Sequence, residues 1–262
     1  MTVVASTYDK GAAGFERQRV LPSEVAQSVR AAVLTAVGHV ETPRLLDLGA
    51  GSGRIGLSFV AAGDDYIAVD LSLRMLQVFA EKNTGEHRAR LIQADGRALP
   101  FAEANFDAVM LIAVFGDLPD WRPLVAEARR VLRAGGVIAI GRTAAPDDGI
   151  DEQMKEQLDR LLAERMVYTP RKNGRKNAAQ HLAATATATT DLAPASWSVD
   201  RSARHFLERH AGGARFSRLP SSVREEALAE LAEWAKGEFG SLDAAFTETH
   251  RFEMQLFRFE EG

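Results

Sequence analysis

Cysteine is absent from the 262 residues of this chain, which excludes disulfides and thiolate metal sites outright. An excess of positive charge is missing too. The formal net charge is -4, so there is no basic footprint for gripping nucleic acid, and a small-molecule partner is favoured. Long hydrophobic runs are lacking: the longest, VMLIAVF at Val109–Phe115, is far too short to cross a bilayer. The opening MTVVASTYDK has no charged stretch followed by an apolar core, so no secretory signal is expected. The six histidines (His39, His87, His181, His205, His210, His250) form no i,i+4 pair and no cluster bracketed by carboxylates, so no metal is expected. These absences describe a cytoplasmic protein with no membrane or nucleic-acid partner. What is present is ordinary for a globular fold: 46% hydrophobic and 26% charged residues, enough to bury one large core.

Hydrophobic periodicity divides the chain into alternating elements. Val25, Val29, Val33 and Val37 recur every four residues and predict a helix over Pro22–Val37, stopped by Gly38. Short apolar runs predict strands at Arg44–Leu48, Tyr66–Val69, Ala89–Gln93, Phe106–Ala113 and Val137–Gly141. Helices fall between them: Arg54–Ala62, a segment capped by Ser72 and carrying Met75, Leu76 and Phe79, and Trp121–Leu132, halted at Gly135-Gly136. Continuous apolar strands separated by helices indicate a parallel sheet covered on both faces. Beyond Thr143 helices are predicted at Ile150–Met166, Lys172–Leu182 and Ser222–Lys236. The alternating threonines of Ala184–Thr190 suit an edge strand, and His250–Phe259 suits a final antiparallel strand.

Leu45–Gly56 reads LLDLGAGSGRIG, a strand followed by a glycine-rich turn that opens a helix. Such a turn brings main chain close to a ligand. Gly51-Ser-Gly53-Arg-Ile-Gly56 satisfies the G-x-G-x-x-G pattern of dinucleotide binders. Asp47 points the other way. A carboxylate two residues before Gly49 repels a pyrophosphate and attracts a cationic ligand, by about 4 kcal/mol at ~4 Å and an effective dielectric near 20. Asp70, at the end of the second strand, suits a pair of ribose hydroxyls and fits either cofactor.

With Asp47, the loop Gly49-Ala50-Gly51-Ser-Gly53 resembles the first motif of class I S-adenosylmethionine-dependent methyltransferases. ADGRALPF (Ala94–Phe101), FDAVM (Phe106–Met110) and VLRAGGVIAIG (Val131–Gly141) resemble that family's later motifs, in order, so the resemblance covers roughly Leu45–Thr143. It implies an α/β, Rossmann-like, doubly wound and mostly parallel seven-stranded sheet with a final antiparallel strand. It implies one domain over 1–262: an N-terminal helical lid at 1–40, a cofactor-binding core at 41–143, and a C-terminal half at 144–262 with a helical insertion about 197–240. It also implies S-adenosylmethionine as cofactor and methyl transfer to a small-molecule acceptor by in-line displacement. Tyr8, Asp47, Gly49, Ala50, Gly51, Gly53, Asp70, Leu71, Met75, Asp95, Gly96 and Ala113 would line the cofactor, with Asp95 and the Gly96 amide at the adenine. Phe15, Phe115, Trp197 and Phe206 are candidates for an apolar acceptor wall. Ile112–Gly116 departs from the Pro-Pro-aromatic pattern of planar-nitrogen methylation. No catalytic base is identified, and a monomer and a homodimer stay equally open. Two other readings remain: an NAD(P)-dependent oxidoreductase on a similar sheet, and a non-catalytic S-adenosylmethionine-binding protein.

Overall fold

Valines spaced one helical turn apart can only bury together, and on α1 (Ser23–Val37) Val25, Val29, Val33 and Val37 all do so. Gly38, at a φ of 83°, ends this helix in a conformation that glycine alone adopts freely. The computed structural model describes residues 21–38, 40–116, 118, 120–165, 173–211 and 219–260. The order continues as β1 (Arg44–Leu48), α2 (Gly56–Ala61), β2 (Asp65–Asp70), α3 (Leu73–Lys82), β3 (Arg90–Gln93), β4 (Phe106–Ile112), α4 (Arg122–Val131) and β5 (Leu132–Ala144). It ends with α5 (Ile150–Glu164), α6 (Gly174–Ala183), β6 (Ala188–Arg201), α7 (Ala203–Ala211), α8 (Ser221–Phe239) and β7 (Phe246–Phe259).

The seven strands form one sheet in the order β3-β2-β1-β4-β5-β7-β6. All pairings among β1 to β5 are parallel, while β7 runs antiparallel to both β5 and β6. The chain moves outward from β1 to β2 and β3, then returns to place β4 on the other side of β1. That reversal opens a crevice at the carboxyl ends of β1 and β4, where open α/β sheets bind ligands.

Strand alternation sorts the side chains into two cores. Leu45, Ala68, Met110, Ala139, Phe252 and Met254 face α1, α2 and Phe79 of α3. Leu46, Leu48, Val109, Leu111, Ile138 and Phe257 face α4 and α6. Each fully buried aliphatic or aromatic side chain contributes about 1.5–3 kcal/mol. A third cluster, Met154, Leu158, Phe206, Ala227 and Leu231, joins α5, α7 and α8 into a helical cap.

Four predicted boundaries are corrected. Gly135-Gly136 does not halt the helix: α4 ends at Val131, and both glycines lie inside β5, where Gly136 pairs with Phe259. The edge strand begins at Ala188 rather than Ala184, because Ala184–Thr187 close α6 through amides donated to Gln180 and Leu182 carbonyls and to Arg258. That strand then continues to Arg201 past a register shift between Leu192 and Ala195, where Pro194 supplies no amide to the ladder. Trp197 therefore sits within β6, and the helices inserted between β6 and β7 run from Ala203 to Phe239. Alternating threonines and a tryptophan say "strand" without fixing its ends; pairing with β7 does.

Candidate functional site

Three positive-φ glycines shape the turn after β1: Gly49 at 79°, Gly51 at 56° and Gly53 at 78°. Space demands glycine as well. A Cβ on Gly49 would collide with the Val114 side chain, and one on Gly53 would lie 2.5 Å from the Phe79 ring. The turn after β1 thus packs directly on the segment after β4. Gly56, the third glycine of the dinucleotide pattern, is small for a different reason: the Tyr66 hydroxyl and the Phe79 ring fill the place of its Cβ. Lys82 Nζ holds the turn from α3 by donating to the Ser52 carbonyl at 2.9 Å.

Four amides of this turn are already committed. Gly49 N and Ala50 N donate to Val69 O at 2.8 and 3.1 Å, and Gly53 N donates to Ala50 O at 3.1 Å. Gly51 N donates to Asp70 Oδ2 at 2.8 Å. A pyrophosphate site needs such donors pointing outward. Here they turn inward, and one of them ends on a carboxylate that would repel a phosphate.

Asp70 is fixed from both sides, since Ser72 N donates to its Oδ1 at 2.8 Å. The two amides hold the carboxylate in a fixed orientation at the end of β2. Ser72 in turn caps α3 by accepting from Met75 N. Met75 is buried, with its Cε 3.8 Å from where a Gly51 Cβ would stand, and Leu71 is half-buried beside it. Asp95 lies past the end of β3, next to β2, and its carboxylate is gripped by Arg97 through Nε, Nη2 and the backbone amide. That grip holds the Asp95 carboxyl below its ordinary value, so it is ionised. Gly96 has no room for a side chain because Leu124 Cδ1 would stand 2.7 Å from its Cβ.

Asp47 lies beneath the loop, 2% exposed, and accepts from the Tyr66 hydroxyl at 2.6 Å. Its Oδ1 has no donor. Burial pushes its pKa up to about 7, against the Tyr66 hydrogen bond, which lowers it, and with the nearby charge of Asp70, which adds to the rise. The sequence supplied the acid but not its partner; the Tyr66 hydroxyl was missed because Tyr66 reads only as an apolar strand residue. An orphaned buried carboxylate oxygen suits a cationic ligand group and offers nothing to an anion.

Past β4, Ala113 adopts a φ of 56° and donates its amide to Gly141 O at 2.8 Å. A left-handed alanine is strained, and it turns the chain over the crevice. Phe115 follows, nearly buried against the α4 and α6 side of the sheet. Asp47, the three glycines, Asp70, Asp95, Ala113 and Phe115 therefore all lie at or just past the carboxyl ends of β1 to β4. Trp197 and Phe206 do not join Phe115. Trp197 faces the α1 side of the sheet beside His250, and Phe206 is sealed in the cap, stacked on His210. Trp197 is thus partly buried against the α1-side cluster and Phe206 is buried in the cap, each in a cluster other than that of Phe115. Tyr8 and Phe15 lie outside the described residues.

Residues 46–140 match the family described as methyltransferase domain. This segment is a class I S-adenosylmethionine-dependent methyltransferase domain. The domain and its flanks are 32% identical over 144 residues to demethylmenaquinone methyltransferase of Clavibacter sepedonicus, covering 55% of this chain and 59% of that protein. The chain spans about three-fifths of the length of the first curated relatives it matches. Among solved structures, the YcgJ protein of Bacillus subtilis has the same fold at a TM-score of 0.58 and 22% identity, over 90% of this chain and 99% of that one. A phosphoethanolamine N-methyltransferase of Haemonchus contortus, solved with S-adenosylhomocysteine, gives 0.52 at 17% identity, over 97% of this chain and 58% of that one. The sheet of the whole chain agrees with the expected doubly wound, mostly parallel arrangement and its antiparallel last strand.

A second polar cluster escaped sequence reading. Glu248 and His250, two apart on β7, share a face and are 7% and 3% exposed. Glu248 Oε1 accepts from Ile150 N at the start of α5 at 2.6 Å, and its Oε2 lies 3.0 Å from His250 Nε2. Asp151 pairs with Arg209 of α7 and lies 3.6 Å from Arg201 of β6. Two acids thus face two arginines and bolt the cap to the sheet. The alternation T-E-T-H at the head of β7 was its only sequence signal. Glu248→Ala strips the acceptor from Ile150 N and leaves Arg201 under-compensated, so we expect a loss of about 2–4 kcal/mol in urea unfolding. Cofactor affinity should not change.

No group of three or more metal-ligating side chains exists among the described residues. No described helix is long and apolar enough to cross a membrane.

Proposed function

We propose that the protein transfers a methyl group from S-adenosylmethionine to a small-molecule acceptor, leaving S-adenosylhomocysteine. The observation that carries this reading is the turn after β1. Four of its amides are spent on Val69, Ala50 and Asp70, and beneath it lies a carboxylate oxygen without a donor. That environment favours a cationic guest and disfavours a pyrophosphate.

When bound, S-adenosylmethionine supplies a methyl group already activated by its sulfonium charge. The protein's share is orientation and exclusion of water. Asp70, held in orientation by the Gly51 and Ser72 amides, accepts the two ribose hydroxyls. Asp95 accepts the adenine amino group while the Gly96 amide donates to the ring. Asp47 offers its unpaired oxygen near the cationic methionyl end. Ala113 and Phe115 close the crevice where the acceptor approaches. Relatives named demethylmenaquinone methyltransferase favour a small-molecule acceptor.

Calorimetry and thermal shift with S-adenosylmethionine, S-adenosylhomocysteine, NADH and NADPH test the proposal. A ligand at 100 times its dissociation constant should stabilise the fold by about 2.7 kcal/mol. Both adenosyl compounds are expected to do so. Stabilisation by a nicotinamide alone overturns the reading. The comparison matters because the Tyr-x-x-x-Lys spacing of short-chain reductases does occur, at Tyr168 and Lys172, outside the described residues. Binding without transfer to any of a broad acceptor panel would mark a non-catalytic binder.

A further inference from the structure

On the α6 side of the sheet, a single carboxylate gathers three guanidinium groups. Arg142 Nε donates to Glu253 Oε2 at 3.0 Å, and the two residues are cross-strand partners on β5 and β7. Arg251 donates through Nε to Glu253 Oε1 at 3.0 Å. Arg175, in the first turn of α6, lies 4.0 Å from Glu253 Oε2. Glu253 and the Arg175 and Arg251 side chains line a cavity of about 820 Å³, together with Lys176 and Asp191. Four cations here meet two carboxylates, in a chain whose net charge is -4. Burial and the neighbouring Arg142 charge push the Arg175 guanidinium down from its ordinary value.

Contrast with the cap cluster makes the excess meaningful. There two arginines meet two acids, the balance expected of a structural network. Here four cations outnumber two acids, a local positive excess that favours an anionic partner. Guanidinium forks suit a planar carboxylate or a phosphate. Leu192 and Phe257 supply an apolar wall beside them, and the volume falls in the range of small-ligand sites.

The position links this cavity to the crevice. Gly174, one residue before Arg175, stands so close to Phe115 that a Cβ would lie 3.4 Å from the Phe115 carbonyl oxygen. Arg142 directly follows Gly141, whose carbonyl accepts the Ala113 amide. The basic end therefore abuts the segment after β4, where the acceptor must approach. We propose that Arg142, Arg175 and Arg251 bind a carboxylate or phosphate on the methyl acceptor, and so select anionic acceptors. This rests on the methyltransferase reading and extends it to the acceptor's chemistry.

The test uses the full chain saturated with S-adenosylhomocysteine and titrated calorimetrically with benzoate, phenyl phosphate and, as a neutral control, benzyl alcohol. At least one anion should bind with 1:1 stoichiometry and at least tenfold more tightly than the alcohol; the preferred anion distinguishes carboxylate from phosphate. The double variant R142Q/R175Q should lose at least tenfold of that affinity while holding S-adenosylhomocysteine within twofold of the parent. Arg251→Gln, on a half-exposed side chain, repeats the measurement should the double variant fold poorly. Anions binding no better than the alcohol, or with unchanged affinity in the variants, overturn the proposal. Failure of S-adenosylhomocysteine to bind would instead sink the methyltransferase reading, and the anion titration without it still reports on these arginines.

Discussion

Asp47→Asn should raise the stability of the ligand-free protein at pH 8 and weaken S-adenosylmethionine binding at least tenfold at the same pH. The two effects share one cause. Asp47 is buried, its Oδ1 lacks a donor, and its pKa stands near 7. In the unfolded chain it returns to about 3.8. Between those values the native state holds the proton that the unfolded state has released, so stability falls as pH rises through this window. Above pH 7 the fold carries an ionised, half-satisfied carboxylate. Asparagine keeps the shape and can accept from Tyr66, but it has no charge to desolvate, so we expect a gain of about 2–4 kcal/mol at pH 8. In thermal melts that corresponds to a Tm increase of roughly 4 °C or more, shrinking towards pH 4.

The same charge is what a cationic ligand needs. Binding such a group should pull the Asp47 pKa down and release a proton near pH 7, as a neighbouring opposite charge does. Calorimetry in two buffers of different ionisation enthalpy measures that release. Its absence, or an Asp47→Asn protein that is no more stable and binds equally well, would contradict the role assigned to this carboxylate.

Asp70→Ala should cost about a hundredfold or more in affinity for S-adenosylmethionine, S-adenosylhomocysteine and adenosine alike. Two charge-assisted hydrogen bonds to hydroxyls vanish, each worth about 1.5–3 kcal/mol. The Gly51 and Ser72 amides also lose their acceptor, which loosens the turn itself. Adenosine separates the two aspartates: Asp47→Asn should leave its affinity unchanged, because Asp47 serves the methionyl end. Asp95→Ala should cost about tenfold, since Asp95 is partly exposed and already shares its charge with Arg97. Full affinity in both Asp70→Ala and Asp95→Ala would place the adenosine elsewhere.

Much of the crevice was readable from local pattern. The valine period of α1, the apolar strands, the Ser72 cap and the glycine turn each follow from neighbours a few residues apart. Asp47, Asp70 and Asp95 are legible as candidates because each sits at or near the end of a strand of the parallel sheet. The Tyr66–Asp47 pair and the Glu248–His250 bolt are not, because each is made by elements distant in sequence. The placement of Trp197 and Phe206 is hidden for a related reason: an aromatic residue announces burial but not the face on which it is buried.

Sequence alone determined the doubly wound sheet, the order of its elements as far as β5 and the acid-flanked turn, since periodicity and backbone freedom act over short spans. Tertiary structure decided where the turn's amides go, that Asp47 is a half-satisfied acid near neutrality, and which face gathers Arg142, Arg175 and Arg251. Those depend on strand pairing and burial, which bring together residues that no local pattern connects.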